Sequence, residues 1–278
     1  MGMLASPSMD EINAYLAEDI GTGDITAAII PENIQAEAVV MTREAIVLCG
    51  QHWFDAVFKR LGGNVCIKWL VSEGDIAAPG VSLCKINGSA RVLLTGERTA
   101  LNLLQTLSAT ATVARQYADA VAGTGCKVLD TRKTIPGLRR AQKYAVACGG
   151  CYNHRIGLYD GVLIKENHII AAGSIAKAVQ IARQQSNVSV EVEVESLGEF
   201  QEAITAKPNR IMLDNFSLDE MRMAVSLNDP AIELEASGNI TLENIRTVAE
   251  TGVDYISIGA LTKNIKAIDL SMRINLAQ

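Results

Sequence analysis

Arg132-Lys133 stands just after the apolar run Val128-Leu129 and its following Asp130. A guanidinium grips a carboxylate or phosphate through two parallel hydrogen bonds, and a neighbouring ammonium adds a point charge, so this pair points to anion capture. Asn153-His154-Arg155 follows Gly149-Gly150, which sets two further donors side by side on a flexible loop. Lys165 terminates Val162-Leu163-Ile164. An ammonium leaving an apolar strand can pair with an anion or, with a lowered pKa, form a Schiff base. Along Val190-Glu191-Val192-Glu193-Val194-Glu195, strict alternation sets the glutamates on one face and the valines on the other, the pattern of a half-buried strand with one wet side. Glu193 is placed to meet Asp214 from the next strand, and paired carboxylates suit either Mg²⁺ that also holds phosphates or the hydroxyls of a sugar. Ser237-Gly238-Asn239 and Gly259-Ala260 are small-residue turns opening towards helices, where free backbone N–H groups bind phosphate.

Other candidates carry less chemistry. Arg140 and Lys143 fit a solvated basic helix face, and His52 and His168 fit structural roles. Cys148-Gly149-Gly150-Cys151 lacks a second ligand pair for zinc and is expected to be two free thiols in a glycine turn.

The elements that must position these groups change character along the chain. The first hundred residues are mixed, with helices expected at 10–19 and 51–61 and strands at 37–48 and 65–71. A helical pattern from 92 to about 121 forms a spine. Beyond Gly125 short apolar strands are expected at 126–129, 161–164, 188–194, 210–213, 232–235 and 254–258. Helices are expected between them at 138–147, 174–184, 196–205, 218–227 and 242–251. Alternating β and α at this spacing implies a parallel sheet with helical crossovers. Nearly every strand ends in a polar, chemically capable group, which is where parallel barrels keep their active sites.

Composition narrows the function. The chain has 278 residues and is 49% hydrophobic, enough for one large or two modest domains. Net charge is −6, which argues against a nucleic-acid binder. Residues 98–165 nevertheless carry +7, leaving −13 for the rest, so the expected ligand is a small polyanion. No apolar run reaches membrane-spanning length, and the start lacks a signal-peptide pattern; residues 1–6 are expected to be an unstructured leader. Six scattered cysteines suit a reducing cytoplasm.

The ordered motifs Glu18-Asp19-Ile20-Gly21-Thr22-Gly23-Asp24, Gly96-Glu97-Arg98-Thr99-Ala100, Asp130-Thr131-Arg132-Lys133-Thr134, Asn153-His154-Arg155, Leu163-Ile164-Lys165-Glu166-Asn167-His168, Leu213-Asp214-Asn215, Glu235-Ala236-Ser237-Gly238 and Ser257-Ile258-Gly259-Ala260 resemble the quinolinate phosphoribosyltransferases, also called nicotinate-nucleotide pyrophosphorylases (carboxylating). One departure is Cys151, where the family pattern has a third glycine.

The resemblance implies an α/β fold: an N-terminal α/β sandwich over 1–108, joined by the C-terminal tail 266–278, and an incomplete α/β barrel of six to seven strands over 109–265. It implies transfer of phosphoribosyl from 5-phosphoribosyl-1-diphosphate to quinolinate with decarboxylation, in the de novo synthesis of NAD. Arg98, Arg132, Lys133, His154, Arg155 and Lys165 would bind quinolinate. Glu193 and Asp214 would serve the ribose and Mg²⁺, with Glu195 the second choice for the first role. Ser237, Gly238, Asn239 and Gly259 would bind phosphate. Lys133, Lys165, Glu193 and Asp214 would be catalytic. The implied assembly is a cytoplasmic homodimer with shared sites, in which Arg98 reaches the partner's quinolinate, with no nucleic-acid or membrane partner.

Overall fold

The computed structural model describes residues 6–276, so nearly all of the expected leader lies outside the described residues. In chain order the elements are α1 (Met9–Ile20), β1 (Gln35–Thr42), β2 (Ile46–Val47), α2 (Gln51–Leu61), β3 (Cys66–Trp69), β4 (Ile76–Ala77), β5 (Ser82–Ser89), α3 (Ala90–Ala120), β6 (Lys127–Leu129), α4 (Arg139–Cys148), β7 (Val162–Ile164), α5 (Glu166–Ala172), α6 (Ile175–Gln185), β8 (Val190–Val194), α7 (Leu197–Ala206), β9 (Arg210–Asp214), α8 (Leu218–Leu227), β10 (Glu233–Ser237), α9 (Ile245–Ala249), β11 (Tyr255–Ser257), α10 (Ala260–Lys263) and β12 (Leu270–Leu276).

The chain forms two compact units. The first holds the described residues up to Arg115, Ile135–Gly150 and those from Thr262 onward; the second holds Gln116–Thr134 and Cys151–Leu261. The boundary drawn from sequence at 108/109 falls inside α3, and the segment 135–150 goes with the first unit rather than the barrel.

In the first unit, alternating β1 (Gln35 and Glu37 out, Ala36 and Ala38 in) lies in an antiparallel sheet of order β12-β1-β5-β3. The inward face is filled by α2, whose Trp53, Phe54, Val57 and Phe58 recur at helical spacing and are buried. Buried Leu93, Leu101, Leu104 and Leu107 of α3 complete that core. Lys143 is a correction to the sequence reading: it is fully buried, because α4 also turns Ala141, Gln142, Ala145 and Val146 inward and leaves little solvated face. Arg140 is partly exposed and pairs with Glu11 at 3.5 Å.

The second unit is a six-stranded parallel sheet of order β6-β11-β10-β9-β8-β7 with helical crossovers. β6 and β7 are its two edges, so among the described residues the barrel is incomplete and open, with the expected strands. Helix α9 is shorter than expected because Asn244 folds the preceding residues into a turn, its Oδ1 accepting from Thr241 N at 2.8 Å. α5 was not expected; it starts immediately after Lys165 and is only seven residues long. No helix among the described residues is long and apolar enough to cross a membrane.

β8 departs from the wet-sided reading. Val190, Val192 and Val194 are buried on one face, yet Glu191 on the other is only 5% exposed. The glutamate face looks into the curve of the sheet, where other strands cover it, as parallel sheets are covered on both sides.

Candidate active site

All six strands of the parallel sheet, or the segments that follow them, send residues into one cavity of about 180 Å³; β9 contributes mid-strand Met212. Arg132, Lys133, His154, Arg155, Lys165, Glu193 and Ser237 line it together with Thr131, Leu163, Met212, Glu235 and Ser257. Seven sequence-predicted site residues are thereby brought together within the second unit.

The cavity is dominated by positive charge. Lys165 is half exposed and ion-paired with Glu193. The Arg155 guanidinium donates to Gly161 O at 3.2 Å. Burial, and then the neighbouring Arg132 charge, lower the hold of Arg155 on its proton, against the pull of Glu191 and Asp160. Two guanidiniums held this close repel one another, and an anion between them relieves that repulsion.

Beneath them lies a network of buried acids. Asp130 is fully buried and fixes the loop that carries His154, its carboxylate accepting from Asn153 Nδ2 at 2.7 Å and His154 N at 2.9 Å. The His154 ring sits between Arg155 N, 2.8 Å from Nδ1, and Glu191 Oε2, 2.8 Å from Nε2. Glu235 Oε2 is 3.5 Å from the same Nε2 and accepts from Arg210 Nη1 at 3.0 Å. Arg210 also pairs with Glu233 at 2.9 Å and stacks 3.9 Å from the centre of the Tyr255 ring. Burial raises both Glu191 and Glu235, and the charge of Glu191 raises Glu235 further, to about 7.

The remaining predicted residues lie outside that lining. Asp214 ends β9 and accepts from Asn215 Nδ2 at 2.8 Å, so Glu193 and Asp214 are engaged by different partners. Gly238 and Asn239 line a neighbouring cavity of about 280 Å³ with Asn215 and Ser217. Gly238 has φ +96°, and a Cβ there would lie 2.2 Å from Asn215 Oδ1, so only glycine lets this turn close on β9. Asn239 Nδ2 donates to the same Oδ1 at 3.1 Å. Gly259 leaves room for Lys133, whose Cδ would be 3.2 Å from a Cβ at that position. Arg98 is exposed on α3 in the first unit, and Glu195 is exposed beyond β8. His168 is structural, its Nδ1 accepting from Lys165 N at 3.0 Å.

The model of the family described as quinolinate phosphoribosyl transferase, C-terminal domain, matches residues 110–273, and the corresponding N-terminal domain model matches residues 24–108. The chain belongs to the quinolinate phosphoribosyltransferase family. Among its relatives, a Bacillus subtilis protein described as a probable nicotinate-nucleotide pyrophosphorylase [carboxylating] is 42% identical over 96% of this chain and 93% of its own length. A solved nicotinate-nucleotide pyrophosphorylase from Francisella tularensis is 48% identical, covers 98% of this chain and 99% of its own, and superposes with a TM-score of 0.94. A third, from Ehrlichia chaffeensis, is 37% identical over 97% of this chain and 99% of its own, with a TM-score of 0.92.

Within this family fold, sequence reasoning missed Asp130, Glu191, Arg210 and Glu235 as parts of the site. The signal was present for two of them. Glu191 shares strand parity with Glu193, and Glu235 with Ser237, so each must face the same side as a predicted site residue.

Proposed function

We propose that this chain transfers the phosphoribosyl group of 5-phosphoribosyl-1-diphosphate to the ring nitrogen of quinolinate, releasing diphosphate and CO₂ and forming nicotinate mononucleotide. The observation that carries this is the convergence of Arg132, Lys133, Arg155 and Lys165 on one cavity that also holds Glu193 and Ser237. Quinolinate has two adjacent carboxylates, and a site rich in cations holds both in register. Loss of diphosphate builds positive charge on the ribose C1, which Glu193 and Asp214 are suited to stabilise. The pyridinium formed by attack of the ring nitrogen is then the electron sink into which the 2-carboxylate is lost.

The family implies Mg²⁺, and the donor set fits it: Glu193 and Asp214 offer hard carboxylate oxygens at the ends of adjacent strands. When bound there, Mg²⁺ would supply charge neutralisation for the diphosphate. Lys165 is ion-paired with Glu193, and that ion pair favours an anion-binding role for Lys165 over Schiff-base chemistry. A homodimer with Arg98 completing the partner's site, and a cytoplasmic location suited to six free cysteines, belong to the same proposal.

The test is an assay for nicotinate mononucleotide with quinolinate, 5-phosphoribosyl-1-diphosphate and MgCl₂. Product is expected with quinolinate and not with nicotinate, because cations built for a second carboxylate are left unpaired by the monoacid. Absence of product from a folded chain, or equal efficiency on both acids, would overturn the reading.

A further inference from the structure

Three side chains from separate stretches of the first unit converge: Cys49 before α2, Glu73 in the turn before β4, and Cys148 at the end of α4. Their two sulfurs and one carboxylate oxygen all lie within 4.8 Å of one another. Each is pinned by its surroundings. Cys49 N donates to Ser108 Oγ at 3.0 Å, and Ser108 Oγ donates to Cys49 O at 3.1 Å. Glu73 caps α2, accepting from Gly50 N at 2.8 Å and Gln51 N at 3.1 Å. The end of α4 is pressed against α3, since a Cβ on Gly149 would lie 2.3 Å from Ala111 O, and Arg115 Nε donates to Gly149 O at 3.0 Å.

The two thiols differ. Cys49 is fully buried, whereas Cys148 is partly exposed. Burial, followed by the hydrogen bond to Cys148, pushes the Cys49 thiol well up. The same hydrogen bond, with the Arg115 charge, holds the Cys148 thiol down against burial and Glu73. Cys148 is therefore the sulfur that an electrophile from solvent reaches, as its thiolate, and Cys49 is the buried sulfur beside it.

We propose that Cys148 and Cys49 are a peroxide-sensitive dithiol, in which a hydroperoxide oxidises Cys148 and Cys49 then closes a reversible disulfide. The Cys148 thiolate attacks the peroxide oxygen, the O–O bond breaks, and sulfur keeps the hydroxyl as a sulfenic acid. The leaving oxygen takes the proton that Cys148 had released. Cys49 sulfur then attacks Cys148 sulfur, the S–O bond breaks, and the hydroxide departs as water with the Cys49 proton, handed over by the adjacent Glu73 carboxylate. Two thiols lose two electrons and the hydroperoxide gains them; a small dithiol reverses the step by exchange.

The full chain is treated with stoichiometric hydrogen peroxide, blocked with N-ethylmaleimide and mapped by peptide mass spectrometry. The expected product is a Cys49–Cys148 linked peptide that dithiothreitol removes. Cys49→Ser is expected to leave a sulfenic acid on Cys148 that dimedone traps, and Cys148→Ser to leave Cys49 reduced. A bond from Cys148 to any other cysteine, such as Cys151, overturns the proposal. So does oxidation of exposed Cys66 while Cys49 and Cys148 still alkylate, or a bound metal that shields both thiols until a chelator removes it. The linkage map uses the unaltered chain and decides the matter even where a variant does not fold.

Discussion

His154 Nδ1 accepts the backbone N–H of Arg155 at 2.8 Å, which leaves the ring proton on Nε2, 2.8 Å from Glu191 Oε2. Glu235 Oε2 lies 3.5 Å from the same nitrogen, so the ring faces two buried carboxylates. Arg132, Lys133, Arg155 and Lys165 bring four cationic side chains to the cavity. Beneath the ring, one guanidinium, Arg210, serves Glu233, Glu235 and the field of Glu191. Burial, against the pull of that guanidinium, favours the protonated form of Glu191 and Glu235.

The proton makes stability depend on pH in a stated direction. Glu235 is raised from an ordinary value of 4.5 to about 7, so the folded chain binds a proton that the unfolded chain has released. Its contribution is fully present below pH ~4.5 and is lost as pH rises through ~7, a loss on the order of 3 kcal/mol. Urea unfolding from pH 5 to 8 should show stability falling with pH in the native chain. Glu235→Gln, which keeps the neutral shape, should flatten that slope; an unchanged slope would show that Glu235 is ionised in the folded state throughout.

How much of this was legible in the sequence differs from element to element. α2 and α8 were placed to the residue, because apolar spacing is local and Gly62 stops α2. The span of β8 was close, but its environment was not. Alternation says which residues share a face, and it cannot say whether that face meets solvent or the inside of a curved sheet. Covering Glu191 takes His154 and Arg210, which arrive from other strands and loops. Lys143 fails for the same reason, since a basic residue on an amphipathic pattern gives no sign that a second surface will pack over it. The cation set of the cavity was legible because each member follows its own apolar strand or glycine loop.

Arg132→Ala should weaken quinolinate binding by about 1.5–3 kcal/mol, the worth of a hydrogen bond to a charged group, or roughly ten- to a hundredfold in affinity. Removing one guanidinium also relieves the repulsion felt by Arg155. Calorimetric titration of quinolinate into the folded variant checks this, and an unchanged affinity would remove Arg132 from the binding set.

Gly238→Ala separates the phosphate turn from the quinolinate cavity. The added methyl must displace Asn215 Oδ1, only 2.2 Å away, at a backbone φ of +96° that alanine rarely adopts. A stability loss of about 1–3 kcal/mol is expected from the strain. The displaced turn should raise KM for 5-phosphoribosyl-1-diphosphate while leaving quinolinate affinity close to native. If both substrates weaken equally, the turn supports the whole sheet end rather than a phosphate subsite.

The proposed dimer makes the sharpest demand. Arg98 belongs to the first unit and Lys165 to the second, and the family resemblance has Arg98 serving the partner's quinolinate. A closed dimer with two-fold symmetry would then carry two composite sites, each built from both chains. An Arg98→Ala chain and a Lys165→Ala chain should each be nearly inactive alone. In a mixed dimer one site lacks both side chains and the other retains both, so mixing should restore activity towards half that of the native dimer in each heterodimer formed. Native mass spectrometry measures the heterodimer fraction independently of activity. If subunits exchange and no activity returns, Arg98 acts within its own chain or not at all, while the assignment of Arg132, Lys133, Arg155 and Lys165 to the cavity is untouched.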